Sequence, residues 1–222
     1  MIKRIVRPTL VALAVAVTIG PVYAPQLLAF PHHTTIAGHA VYSEQPLSPK
    51  LAAVVAEADR RVAASPSGTW RASNQPIFLT DGGWRWTWLS NAMRGGFAVS
   101  RAANDAIVVN RSDADKDMTY NGAPIAGERS LSGVIAHEMT HGSIRARFGL
   151  TADLRYPREL REGYCDYVAG ESSLSDAQAK ALIARGESAP ALPYWQGRKK
   201  VEAAMAQAGM NVDRLFATWG SH

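Results

Sequence analysis

A chain of 222 residues with 47% hydrophobic content is ordinary for a globular protein and allows one compact core, or at most two small ones. Cys165 is the only cysteine, so an intrachain disulfide and a bridge-stapled secreted mini-scaffold are both excluded. The formal net charge of +5 owes much to Lys3, Arg4 and Arg7; without them the basic residues barely outnumber the 19 acidic ones, which gives no support to nucleic-acid binding.

Those three cations precede an uncharged run from Thr9 to Phe30, the pattern of an export signal or a membrane anchor over residues 1–30. Leu10 to Ile19 suits the apolar core of a signal peptide, and Val22-Tyr23-Ala24 or Leu27-Leu28-Ala29 could precede a cut, with Pro25 disfavouring the first. Left uncut, the run is close to the roughly 20 residues that span a bilayer. Either way the basic flank stays inside, so the single domain expected over 31–222 is exported, as a periplasmic, secreted or membrane-anchored protein.

Thr35 to Tyr42 reads as a first strand. Ser48 and Pro49 form an N-cap and N1 pair, and Leu51, Val54, Val55, Ala58 and Val62 then repeat at helical spacing up to the stop at Ser65 to Gly68. Short β-like runs follow: Pro76 to Thr80, a turn at Asp81-Gly82-Gly83, Trp84 to Leu89, Phe97 to Ser100, and Ala106 to Asn110. From Ser130 the pattern is helical, with stops at Gly149, Gly170, Gly186 and Gly209 and a capping box at Ser175 and Gln178. The expected class is α+β: a small, mostly antiparallel N-terminal sheet followed by a helical half.

Within that half stands His137-Glu138-Met139-Thr140-His141. Residues four apart share a helix face, so both imidazoles can reach one ion, with Glu138 beside its open side. By itself the five-residue pattern also fits two hydrogen-bonded core histidines. A second signal begins twenty residues later at Arg161-Glu162-Gly163-Tyr164-Cys165-Asp166-Tyr167. A catalytic zinc takes three protein ligands and leaves one position for water; Glu162, on a helix opened by Pro157 and closed by Gly170, is the candidate third ligand. Asp166, one turn later, is placed to accept the remaining N–H of a metal-bound imidazole. For Glu162 alone, the alternative is a solvated carboxylate at a helix start.

Val134 to Gly170 resembles the gluzincin metallopeptidases, the thermolysin-like and M1 aminopeptidase-like zinc enzymes. Val134 to His141 looks like their active-site helix, and Glu162 to Tyr167 like their ligand helix. Tyr194-Trp195-Gln196-Gly197 is similar to the Tyr-x-x-Gly segment that supplies a tyrosine to the reaction in the aminopeptidase branch. The resemblance implies a zincin-like fold, one Zn2+ on His137, His141 and Glu162, and hydrolysis of a peptide or protein substrate by zinc-activated water with Glu138 as general base. Tyr194 is the preferred donor to the oxyanion, with Tyr164, Arg158 and Arg161 as alternatives. No motif for a substrate's amino terminus is recognisable. An anchored, catalytically silent zinc module is the competing expectation, against which Glu138 speaks because a structural site needs no base.

Trp84, Trp86 and Trp88 would share one face of a strand, packed in the core, lining a groove or resting at a membrane surface. Asp113, Asp115 and Asp117 imitate the start of an EF-hand loop, but Met118 and Pro124 occupy the positions of its glycine and closing glutamate, so a solvated loop is expected. Cys165 reads as a small packing residue, although a thiolate would bind zinc well. His32, His33, His39 and His222 have no assigned partner.

Overall fold

The computed structural model describes residues 19–68, 70, 74–90, 93–207, 209 and 211–219. The basic start and nearly all of the apolar core expected of an export signal, residues 1–18, therefore lie outside the described residues, as do Ala208 and His222. No described helix is long and apolar enough to cross a membrane.

The N-terminal half carries a five-stranded sheet in the order β1-β2-β3-β5-β4. Its strands are β1 (His32–Ile36), β2 (His39–Ser43), β3 (Ile77–Leu79), β4 (Ala98–Ser100) and β5 (Ile107–Val109). A separate sheet joins β6 (Arg111–Asp113), β7 (Met118–Tyr120) and β8 (Glu128–Ser130). Among the described residues four of the six pairings are antiparallel; β2–β3 and β3–β5 are parallel. The central strands are unbroken apolar runs because both faces are covered. Ile77, Leu79, Ile107 and Val109 face the main core, whereas Phe78 and Val108 face a smaller cluster with Phe30, Trp86 and Leu89.

The single strand expected over Thr35 to Tyr42 is a hairpin. Ala37 and Gly38 both take positive φ, at 50° and 87°, which a two-residue hairpin turn requires. Helix α1 (Leu51–Ala64) buries the five positions read from its spacing, but begins two residues later than the Ser48–Pro49 signal, with Ser48 Oγ accepting from Lys50 N at 3.1 Å.

The strand expected over Trp84 to Leu89 is instead helix α2 (Trp84–Ser90). Asp81 Oδ1 accepts from Gly83 N at 2.9 Å, and Thr87 N reaches Gly83 O at 3.0 Å, so the apparent hairpin turn serves as a helix entry. Burial of Trp86 and Leu89 against the sheet outweighs the β preference of the Trp-Thr-Trp run. A helix cannot put all three tryptophans on one face. Trp86 is buried, with Nε1 donating to Arg94 O at 2.9 Å, while Trp84 and Trp88 are exposed.

The end of the uncharged run lies against the rest of the chain. Arg85 donates to the Leu28 and Ala29 carbonyls at 2.9 and 3.0 Å, Arg101 donates to the Val22 carbonyl at 2.9 Å, and Phe30 packs on Phe78.

The helical half comprises α3 (Leu131–Phe148), α4 (Ala152–Arg155), α5 (Arg158–Ala169), α6 (Asp176–Ala184), α7 (Leu192–Gln207) and α8 (Val212–Thr218). Helix α3 is buried continuously from Leu131 to Arg145, packed between the sheet, α1 and α5. Its buried Thr140 and Ser143 hydroxyls donate to the carbonyls four residues earlier, at 2.7 and 3.2 Å, and so need no solvent. Ser130 caps the start of α3 by accepting from Gly133 N at 3.0 Å. Gly149 and Gly170 follow α3 and α5, and the capping box at Ser175 and Gln178 opens α6.

Candidate metal centre

Helices α3 and α5 pack so that His137, Glu138 and His141 meet Glu162, Cys165 and Asp166. His137 Nε2 lies 3.3 Å and His141 Nε2 3.6 Å from the same oxygen, Glu162 Oε2. Two donors on a tetrahedral zinc, with bonds of about 2.0–2.2 Å, stand about 3.4 Å apart, so each histidine and Glu162 are spaced as two donors to one ion would be. His137 Nδ1 meets Asp166 Oδ1 at 2.8 Å, an interaction that fixes the tautomer and leaves Nε2 to face Glu162. The donor set therefore fits a first-row divalent ion. A buried trio of His137, His141 and Cys165 also offers ligand atoms within 4.8 Å of one another.

Charge around the pair is balanced through buried ion pairs. Burial opposes ionisation of Asp166, but Arg129, at 3.0 Å, and His137 overcome it and hold the carboxyl below its ordinary range. Burial works against Glu162 in the same way and is outweighed by His141 and His137, which keep it ionised well below the usual carboxylate value. Burial also disfavours charge on His137, yet Asp166, then Glu162, raise it to about 10. Cys165 is pushed well above a normal thiol by burial and by the carboxylates of Glu162, Glu138 and Asp166.

The centre opens into a cleft of about 720 Å³ lined by His137, Glu138, His141, Glu162 and Tyr194. Strand β4, one of the two edge strands of the larger sheet among the described residues, also lines it. Tyr194 is half-buried, and Arg158 donates to its hydroxyl. Burial and the Glu162 charge raise this phenol above its ordinary value, so it stays protonated at neutral pH. Of the alternative donors, Tyr164 is fully buried in the main core, edge-on to Phe216, and does not line the cleft. Arg161 lines it but is tied to Asp153 at 2.9 Å.

Several contributors have no sequence motif. Arg129, on β8, grips Asp166 and, at 3.4 Å, Glu171, whose Oε1 also accepts from Ser130 N at 3.2 Å. The Asp113 to Asp117 loop is a hairpin turn with a use its sequence did not suggest: Asp117 accepts from Ser132 N at 2.7 Å and Ser132 Oγ at 2.6 Å, at the start of α3. His39 is a core histidine, with Nδ1 at 2.8 Å from Gln75 O and Nε2 at 3.3 Å from Asp59.

No known protein family, curated protein or solved structure matches this chain.

Proposed function

We propose that this chain is a zinc-dependent hydrolase, most simply a metallopeptidase of the zincin-like, gluzincin type, with one ion held by His137, His141 and Glu162. The observation that carries the reading is the approach of both imidazole Nε2 atoms to one Glu162 oxygen, at 3.3 and 3.6 Å, in a cleft that Glu138 also lines. A zinc ion held by His137, His141 and Glu162 would supply an acidified water and a polarised carbonyl. Glu138 takes the proton of the attacking water and returns it to the departing amine. Tyr194 donates to the oxyanion. The edge strand β4, paired on one side with β5, offers backbone groups to an extended peptide lying across the cleft, which favours peptide or protein substrates. The basic flank and the uncharged run over 1–30 support a domain outside the cytoplasm, secreted or held at the membrane by its N-terminus.

One observation favours a second reading, a catalytically silent zinc module: Cys165 adds a further possible donor beside the histidines, and closed four-ligand shells are the mark of structural zinc. Glu138 separates the two, since it has a task only in hydrolysis. The deciding experiment measures metal content and peptide-library cleavage for wild type, Glu138→Gln and Glu162→Ala. The expected result is about one zinc and chelator-sensitive cleavage for wild type. Glu138→Gln should keep its metal with most turnover lost, and Glu162→Ala should lose metal. Full cleavage by the metal-free protein would overturn the reading; a zinc-loaded wild type as inactive as Glu138→Gln would establish the silent module.

A further inference from the structure

We propose that Cys165 is a ligand of the same ion, making the centre a four-donor set of His137, His141, Glu162 and Cys165. The inference rests on the metal-binding part of the reading above and is independent of catalysis. Cys165 follows Glu162 by three residues on α5, and positions three apart on a helix share a face, so the packing of α5 on α3 delivers both side chains to the imidazole pair. They approach from different sides: Glu162 lines the cleft, whereas Cys165 is fully buried and outside its lining.

Distance supports ligation. The thiol sulfur and one ring nitrogen of each histidine all fall within 4.8 Å. Nitrogen and sulfur donors on one tetrahedral zinc stand about 3.5 Å apart, given bonds of about 2.0–2.1 and 2.3 Å, so bringing the sulfur and both imidazoles onto one ion asks for a contraction of roughly an ångström at most. Carboxylates also crowd the imidazole pair, with Glu162 facing both Nε2 atoms and Asp166 meeting His137 Nδ1 at 2.8 Å. On ligation a sulfur–metal bond replaces the S–H bond, and the proton leaves to solvent.

The test loads the metal-stripped full chain with Co(II) and records electronic spectra of wild type, Cys165→Ser and Cys165→Ala. The expected wild-type spectrum has a near-ultraviolet sulfur-to-cobalt charge-transfer band beside the visible bands of tetrahedral cobalt. Both variants should lose the charge-transfer band and bind cobalt at least roughly tenfold more weakly, since even an outer partner of a metal ligand is commonly worth that much. Visible cobalt bands in wild type without the sulfur band would overturn the proposal and leave the site of His137, His141 and Glu162 standing. Failure of folded wild type to take up cobalt would overturn both. The wild-type spectrum decides the matter even if a substitution impairs folding.

Discussion

Gly163 on α5 and Gly197 on α7 are in direct backbone contact. A Cβ built on Gly163 would lie 2.5 Å from the carbonyl carbon of Gly197, and one on Gly197 would lie 2.9 Å from the carbonyl oxygen of Glu159. Glu162 is the neighbour of Gly163, and Tyr194 stands one turn before Gly197, so this crossing brings the proposed ligand and the proposed oxyanion donor to one cleft. Alanine at Gly163 gains up to about 1 kcal/mol in helix propensity. Forcing the helices apart typically costs about 1–3 kcal/mol, and the clash is with backbone, which has little room to yield. Gly163→Ala is therefore expected to lower the unfolding free energy and weaken metal binding together, as read by denaturant melts and metal titration. Wild-type values for both would show that the crossing is soft.

The start of α3 makes a separate prediction. Asp117 accepts two hydrogen bonds from Ser132 while holding a positive φ of 52°. Asp117→Ala removes the acceptor and places a residue with no polar side chain in the left-handed region, for an expected loss of ~1–2 kcal/mol. Asp117→Asn tolerates that backbone and keeps one acceptor, so it should recover part of the loss. Equal melting of the two variants would remove the capping role.

His137 ties stability to pH in the metal-free protein. Burial opposes its charge, but Asp166 and Glu162 raise its pKa from 6.5 to about 10. A raised value in the folded state stabilises the fold fully below pH 6.5, and the contribution fades as the pH climbs through about 10. Chelator-treated wild type should therefore lose stability between neutral and alkaline pH, and His137→Gln should lose less over that interval. Metal must displace the same proton, so metal uptake should weaken as the pH falls. Parallel stability profiles for the two proteins would contradict this account.

Much of the centre can be read from local sequence because its spacing is local. His137 and His141 are four apart on one helix, and Glu162 and Asp166 repeat that interval on another, between Pro157 and Gly170. Burial of α1 follows its periodicity for the same reason. The tryptophan run failed because alternation over five residues fits either a strand or a short helix, and what decided it was the capture of Gly83 N by Asp81 and the burial of Trp86. Arg129 left no trace because its partners Asp166 and Glu171 are far along the chain and reach it only after α3 and α5 have packed. The two parallel pairings are hidden in the same way, since Ile77–Leu79 and Ile107–Val109 read as apolar runs whatever their direction.

Tyr194 carries the prediction with the most chemistry in it. Its helix begins at Leu192, and its ring reaches the cleft that holds Glu138 and Glu162. Arg158 donates to the phenol oxygen, which occupies a lone pair, polarises the O–H bond and leaves the proton free for an acceptor in the cleft. Because the phenol is raised above its ordinary value by burial and by Glu162, that proton is retained across the neutral range. Removing one oxyanion donor typically costs on the order of 10² to 10³ in turnover, so Tyr194→Phe is expected to lower kcat by that order with metal content and melting unchanged. KM should move little, because the bond forms with the charge that develops in the transition state. Arg158→Ala should give a smaller loss in kcat, since it leaves the phenol in place and removes only its polarising partner. A Tyr194→Phe variant with wild-type kcat on a cleaved peptide would end the assignment and turn attention to Arg161, which also lines the cleft.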